Sequence, residues 1–198
     1  MRSMKTNPSL MVVLALLAAP LAHGDAVSDL TAKAEEGEVA AQLELAGLYA
    51  KGQGVRTDMA EALKWYTKAA GQGNVEAQMK LGGMYIAGKV VRKDSAEAAK
   101  WFMMAADSGN AAAQCQMGRM HMVGAGVAKD DVEAYKWASL AAAQNDPAAK
   151  QVLVFLARRM TREQITFVQT QSREYQKTKA AEKTLQLPAE PAPTAAPE

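Results

Sequence analysis

Residues 55–74 read VRTDMAEALKWYTKAAGQGN. The segment returns in altered form at 91–110, VRKDSAEAAKWFMMAADSGN, and at 127–146, VAKDDVEAYKWASLAAAQND. Each copy starts 36 residues after the one before. The register extends well beyond the quoted segment. Ala41, Ala77, Ala113 and Ala149 keep it, as do Trp65, Trp101 and Trp137, and Asp58, Asp94 and Asp130. Gly37, Gly73 and Gly109 follow it too, with Asn145 as the fourth member. A fixed period of this length signals one supersecondary unit repeated and stacked. Three full units occupy 37–144, with a partial one at either end.

Each unit reads as two helices. The second starts at Asp58, Asp94 or Asp130, followed three residues later by Glu61, Glu97 or Glu133. That pattern predicts a capping box with Asp in place of the usual Ser or Thr. Ala62, Trp65 and Ala69 then fall on one apolar face, and glycines at 71, 73 and 109 predict the helix end. The first helix of the next unit follows at once. Asn74 and Asn110 are good N-caps, and Asp146 precedes Pro147 at the first helical position. Ala41, Leu45 and Leu48 share one side, and small residues at Ala46, Gly82 and Gly118 predict close approach of a neighbouring helix. A glycine costs a helix interior roughly 1 kcal/mol relative to alanine, so close packing is the reason to expect it there. The two helices are joined by KGQGVRTD (51–58), AGKVVRKD (87–94) or VGAGVAKD (123–130). Val90 stands where the others carry a second glycine, so that turn either differs or tolerates ordinary backbone angles. Two short helices cannot bury their apolar faces alone, whereas stacked copies share one core. The repeated tryptophans are expected inside it, Trp101 most of all, with a neighbour on each side.

The pattern A-x-x-x-L-G-x-x-Y-x-x-G-x-G-V-x-x-D-x-x-x-A-x-x-W-x-x-x-A-A-x-x-G resembles the Sel1-like repeat, a relative of the tetratricopeptide repeat. It is carried by AQLELAGLYAKGQGVRTDMAEALKWYTKAAGQG, AQMKLGGMYIAGKVVRKDSAEAAKWFMMAADSG and AQCQMGRMHMVGAGVAKDDVEAYKWASLAAAQN. The departures are Ala46, Val90 and Asn145 for Gly and His121 for Tyr. The resemblance implies an all-α, right-handed α-solenoid of antiparallel helix pairs that serves as a protein–protein interaction scaffold. For exported bacterial members it implies envelope assembly, signalling or contact with host cells. It also implies that the first helices line a concave surface. The positions that vary between copies on that surface are Glu44, Lys80 and Gln116, then Gly47, Gly83 and Arg119. These are the candidate contacts for a partner peptide or helix.

The outer segments read differently. MRSMKTNPSLMVVLALLAAPLAHG (1–24) has Arg2 and Lys5, an apolar run from Leu10 to Ala19, and small residues at Ala22 and Gly24. The run is about half the length a bilayer-spanning helix needs, and the layout predicts a secretory signal cleaved after Gly24. A protein exported to the periplasm is the resulting expectation, with secretion as the alternative and no membrane anchor left after cleavage. Cleavage would leave 21 basic and 21 acidic residues, so no basic face for nucleic acid is indicated. Residues 25–36 place Val27, Leu30 and Ala34 on one face, as an N-terminal capping helix should. The stretch 145–184 reads as a partial fourth repeat and a C-terminal capping helix. Thr161 and Gln164 form a capping box there, and Ile165, Val168, Ser172 and Tyr175 make a thin stripe. A helix like this MTREQI (160–165) closes many bacterial Sel1-like chains. Residues 185–198 are rich in Pro and Ala and predict a disordered tail.

Catalytic groups are scarce. Cys115 is the single cysteine, which rules out an intramolecular disulfide, and it aligns with core positions Leu43 and Met79. After cleavage His121 is the single histidine, at the family's Tyr position, too few ligands for a His/Cys zinc site. On one helix Cys115 and His121 would point about 120° apart, which is wrong for a nucleophile–base pair. Penicillin-recognising activity is attributed to some Sel1-like proteins, but none of Ser28, Ser95, Ser108, Ser139 and Ser172 has Lys three residues on. No catalytic residue, cofactor or metal is expected. Of the many methionines in the central units, most fall on core positions and are expected to fill gaps.

Overall fold

The computed structural model describes residues 26–186. The expected signal, its cleavage site and most of the expected tail lie outside these residues. Among the described residues the chain is all-α. Helix α1 covers 26–35. After it come α2 (Val39–Lys51), α3 (Met59–Gly71), α4 (Val75–Ala87), α5 (Ser95–Asp107), α6 (Ala111–Val123), α7 (Asp131–Ala143), α8 (Pro147–Ala157) and α9 (Arg162–Gln186). Contacts divide the chain into two units, one up to Ser108 and one from Gly109. In the first, α2 pairs with α3, α4 with α5, and α3 packs on α4; in the second, α6 pairs with α7, and α7 packs on both α8 and α9.

The helix starts follow from their caps. Asp58, Asp94 and Asp130 each accept the N–H groups two and three residues on, at 2.8–3.1 Å. The expected reciprocal half of the capping box does not form. The Asp58 N–H already donates to Tyr49 O at 2.9 Å, and Asp94 and Asp130 do the same to Tyr85 O and His121 O. Glu61, Glu97 and Glu133 turn instead to Lys64, Lys100 and Lys136 one turn on. Among the described residues the full box closes only at Thr161, where Gln164 Oε1 accepts the Thr161 N–H and Thr161 Oγ1 accepts the Gln164 N–H. Asn74, Asn110 and Asp146 cap α4, α6 and α8 as expected.

Small residues set the spacing within a pair. A Cβ added at Gly118 would come within 3.1 Å of Ala134 O and 3.2 Å of Ala138 N, the backbone of α7. At Gly82 the space is taken by the Phe102 ring of α5. The next member of this row is Val154, and the pairing stops there. Val154 is exposed on α8, and α9 packs on α7. Val168 and Ser172 are buried in that contact, and the Tyr175 ring meets Trp137 edge-on at 5.9 Å. The Val90 turn is locally different, for Gly54 and Gly126 take φ +73° and +74° whereas Val90 stays out of that region. Among the described residues Asn145 alone of the non-glycines adopts positive φ, as the glycine it replaces would.

Buried glutamines staple the pairs. Gln42 Nε2 donates to Ala34 O, and its Oε1 accepts from Gln72 Nε2, which also reaches Gly37 O. In the second unit Gln144 Nε2 likewise donates to Gln114 Oε1 and Gly109 O. In the middle copy Ser108 replaces that glutamine and turns its hydroxyl to Met104 O, leaving Gln78 Oε1 buried without a partner.

Trp65 and Trp137 are core residues, but Trp101 is not fully buried as expected; it packs partly buried against the first core. The difference lies in what covers the ring. Lys68 Nζ lies 3.9 Å over Trp65 and Tyr175 covers Trp137, whereas the residue in the Lys68 position of the middle copy, Met104, is itself exposed. The methionines are correspondingly mixed: Met117 and Met120 are buried, Met79, Met84, Met103 and Met122 partly so.

Two stability predictions follow from this packing. Ser108→Gln should restore the missing staple and raise stability by about 1 kcal/mol, read as an upward shift of roughly 2–4 °C in a thermal melt. Trp65→Ala and Trp137→Ala should each cost about 3–5 kcal/mol, and Trp101→Ala clearly less. Melts of the three variants check the ranking.

Candidate functional site

The first helix of each pair buries one side and leaves a stripe on the other. On α2 the core side is Ala41, Gln42, Leu45 and Ala46. The opposite stripe has the helical spacing i, i+4, i+7, i+11. In the first unit it carries Glu44 and Gly47 on α2 and Lys80 and Gly83 on α4, two helices packed on either side of α3. Glu44, Lys80 and Gly83 are exposed and Gly47 partly so. In the second unit Gln116 is half-buried on α6 and Arg119 exposed.

Gly47 and Gly83 differ from Gly82 and Gly118. A Cβ at either would meet nothing within 4 Å. Packing does not require these glycines, yet each weakens its helix by roughly 1 kcal/mol relative to alanine. They leave bare backbone one helical turn on from Glu44 and Lys80. Glu44 also lines a concavity of about 370 Å3 together with Val27, Asp29, Leu30, Lys33 and Leu48.

Two residues of this face escaped the sequence reading. Continuing the Arg119 row by one period reaches Phe155, which is 50% exposed on α8 with Arg159 stacked over its ring at 5.6 Å. Continuing the α6 stripe by one turn reaches Val123, 63% exposed. The 36-residue register carried both signals. Exposure of an apolar side chain, however, depends on whether another helix arrives to cover it.

The reactive side chains sit elsewhere. Cys115 packs with Ala141 and Ala149. Burial, with Asp146 adding to it, pushes its thiol up to about 11, so little thiolate exists at neutral pH. His121 is half-buried, its Nδ1 3.2 Å from Ala128 O across the turn. Among the described residues no group of three or more His, Cys, Asp or Glu side chains is placed to hold a metal ion.

The repeats place the chain among known proteins. The family model for the Sel1 repeat matches residues 39–74, 75–110 and 111–146, a frame set two residues after the one read from the glycines. A Sel1 repeat protein from Oxalobacter formigenes is 42% identical, with 64% of this chain and 95% of that one covered and a TM-score of 0.60. A protective antigen of uropathogenic Escherichia coli displaying an SLR fold is 27% identical over 87% of this chain, with a TM-score of 0.52; this chain spans 46% of its length. Cysteine-rich protein B of Helicobacter pylori shares the fold at 21% identity and a TM-score of 0.51, with 68% and 96% covered. Among curated proteins none matches this chain. Three consecutive matches covering more than half of the chain decide the assignment: the protein belongs to the Sel1 repeat family.

Proposed function

We propose that this chain is a non-catalytic adaptor that binds a peptide or helix of a partner protein on the outward stripe of its first helices. Sel1 repeat proteins generally mediate protein–protein interaction. The observation that carries the reading to this surface is the pair of open glycines. Gly47 and Gly83 weaken two helices, have no packing role, and lie beside the opposite charges of Glu44 and Lys80. Such a strip lets a partner backbone approach closely while the flanking charges fix its register. Cys115 supports a non-catalytic role, because a buried thiol pushed up to about 11 is a poor nucleophile. The place of action we propose is the periplasm or cell envelope, on the strength of the signal-like layout of residues 1–24.

Gly83→Ala should raise helix stability by roughly 0.5–1 kcal/mol. Gly83→Trp should keep the native melt yet lose proteins captured by the wild-type chain from a cell-envelope extract. Unchanged capture by that folded variant sinks the assignment to this face. N-terminal sequencing of the protein recovered from the periplasm should begin at Asp25; a chain that keeps residues 1–24 and stays in the cytoplasm removes the export reading.

A further inference from the structure

Antiparallel pairing puts the turns within pairs at one edge of the first unit and the turns between pairs at the other. The two edges carry opposite charge. The within-pair turns, 51–58 and 87–94, hold Lys51, Arg56, Lys89, Arg92 and Lys93, all exposed and none in an ion pair among the described residues. Their two carboxylates, Asp58 and Asp94, are engaged by helix N–H groups. The between-pair turns hold Glu35, Glu36, Glu38 and Glu76, with no Lys or Arg in 34–38 or 70–76. Helix stability does not explain the basic edge. Arg56 and Arg92 stand just before the N-termini of α3 and α5, where a cation opposes the helix dipole.

The cations also have a shape around them. Tyr49, Val55, Arg56 and Asp58 line a concavity in the first turn, and Tyr85, Val91, Arg92 and Asp94 line its counterpart 36 residues on, each aspartate being held by helix N–H groups. At the same position in the second unit stands Ala128, so the repeated guanidinium is confined to the first unit.

We propose that this edge binds an extended acidic segment of a partner protein, with one carboxylate side chain in each turn concavity. The inference shares with the proposed function only the premise of a protein partner, and it uses a different surface, so either can fail alone. Each of α2 and α4 packs on α3 at roughly 8–10 Å, which puts their turns roughly 10–20 Å apart, and an extended chain advances about 3.3 Å per residue. Carboxylates about three to six residues apart therefore match the two turns. An exposed guanidinium at the rim of a concavity beside a tyrosine suits a carboxylate on a short side arm. The phosphates of a bilayer, fixed in a plane, do not enter two separate recesses.

The test is fluorescence anisotropy of the full chain with a labelled peptide carrying glutamate at every third position. Raising salt from about 50 to about 300 mM should weaken binding at least about tenfold, since exposed charges are screened. Arg56→Glu combined with Arg92→Glu should weaken it by a similar factor with no change in the melt, while Lys150→Glu on α8 leaves it intact. Equal binding of the glutamine counterpart peptide overturns the proposal, as does indifference to the double variant. Arginine-dependent binding to phosphatidylserine vesicles or single-stranded DNA, without binding to the peptide, overturns it in favour of a phosphate surface. Loss of partner capture by Gly83→Trp with the peptide still bound separates this edge from the outward stripe.

Discussion

Close approach of helix backbones is the constraint on which this structure depends. Its core is built largely of alanine, with Ala46, Ala62, Ala69, Ala77, Ala98, Ala105, Ala134 and Ala141 fully buried. Such small side chains bury little area each. They gain it only if helices lie near enough for dispersion contacts to accumulate on both sides. Gly118 against the backbone of α7 and Gly82 under the Phe102 ring are the places where even the methyl of an alanine would crowd the neighbouring helix. Val154 marks where that condition lapses. With no glycine or alanine in the row, α8 takes no partner of the usual kind and α9 lies on α7.

Close spacing makes polar satisfaction demanding, because water is excluded from the joints. Gln42 and Gln78 donate to the Ala34 and Ala70 carbonyls, and Gln42 and Gln114 accept from Gln72 and Gln144 across those joints. The aspartate caps use the same economy, for their own N–H groups are spent on the preceding helix. This fastens each turn to its pair and leaves Glu61, Glu97 and Glu133 for surface ion pairs worth little to stability. Ser108 is the one break in the glutamine row within these copies, and it falls at the boundary of the first unit.

A core satisfied by small residues leaves the outer positions free to vary. On the first-helix stripe that freedom appears as unneeded glycines and opposite charges; on the turns it appears as segregated charge. Neither arrangement improves the packing, which is why both are proposed as recognition surfaces. They also differ in kind: the stripe offers backbone access, whereas the basic edge offers charge in recesses.

The 36-residue period, the helix pairs, their caps and the all-α class were legible in the sequence, because each rests on local chemistry. An Asp or Asn beside a free N–H, or a glycine at a left-handed position, acts within a few residues of itself. So too was the placement of Ala41, Leu45, Ala62, Trp65 and Ala69 on buried faces, since helical spacing alone brings them together. The incomplete burial of Trp101, the unclosed capping boxes, the uncovered Val154 and Phe155, and the difference between Gly82 and Gly83 were decided by tertiary structure. Each depends on which side chain or backbone atom arrives from another helix. Copies identical in pattern meet different neighbours at different places in the stack, and a period read along the chain contains no record of them.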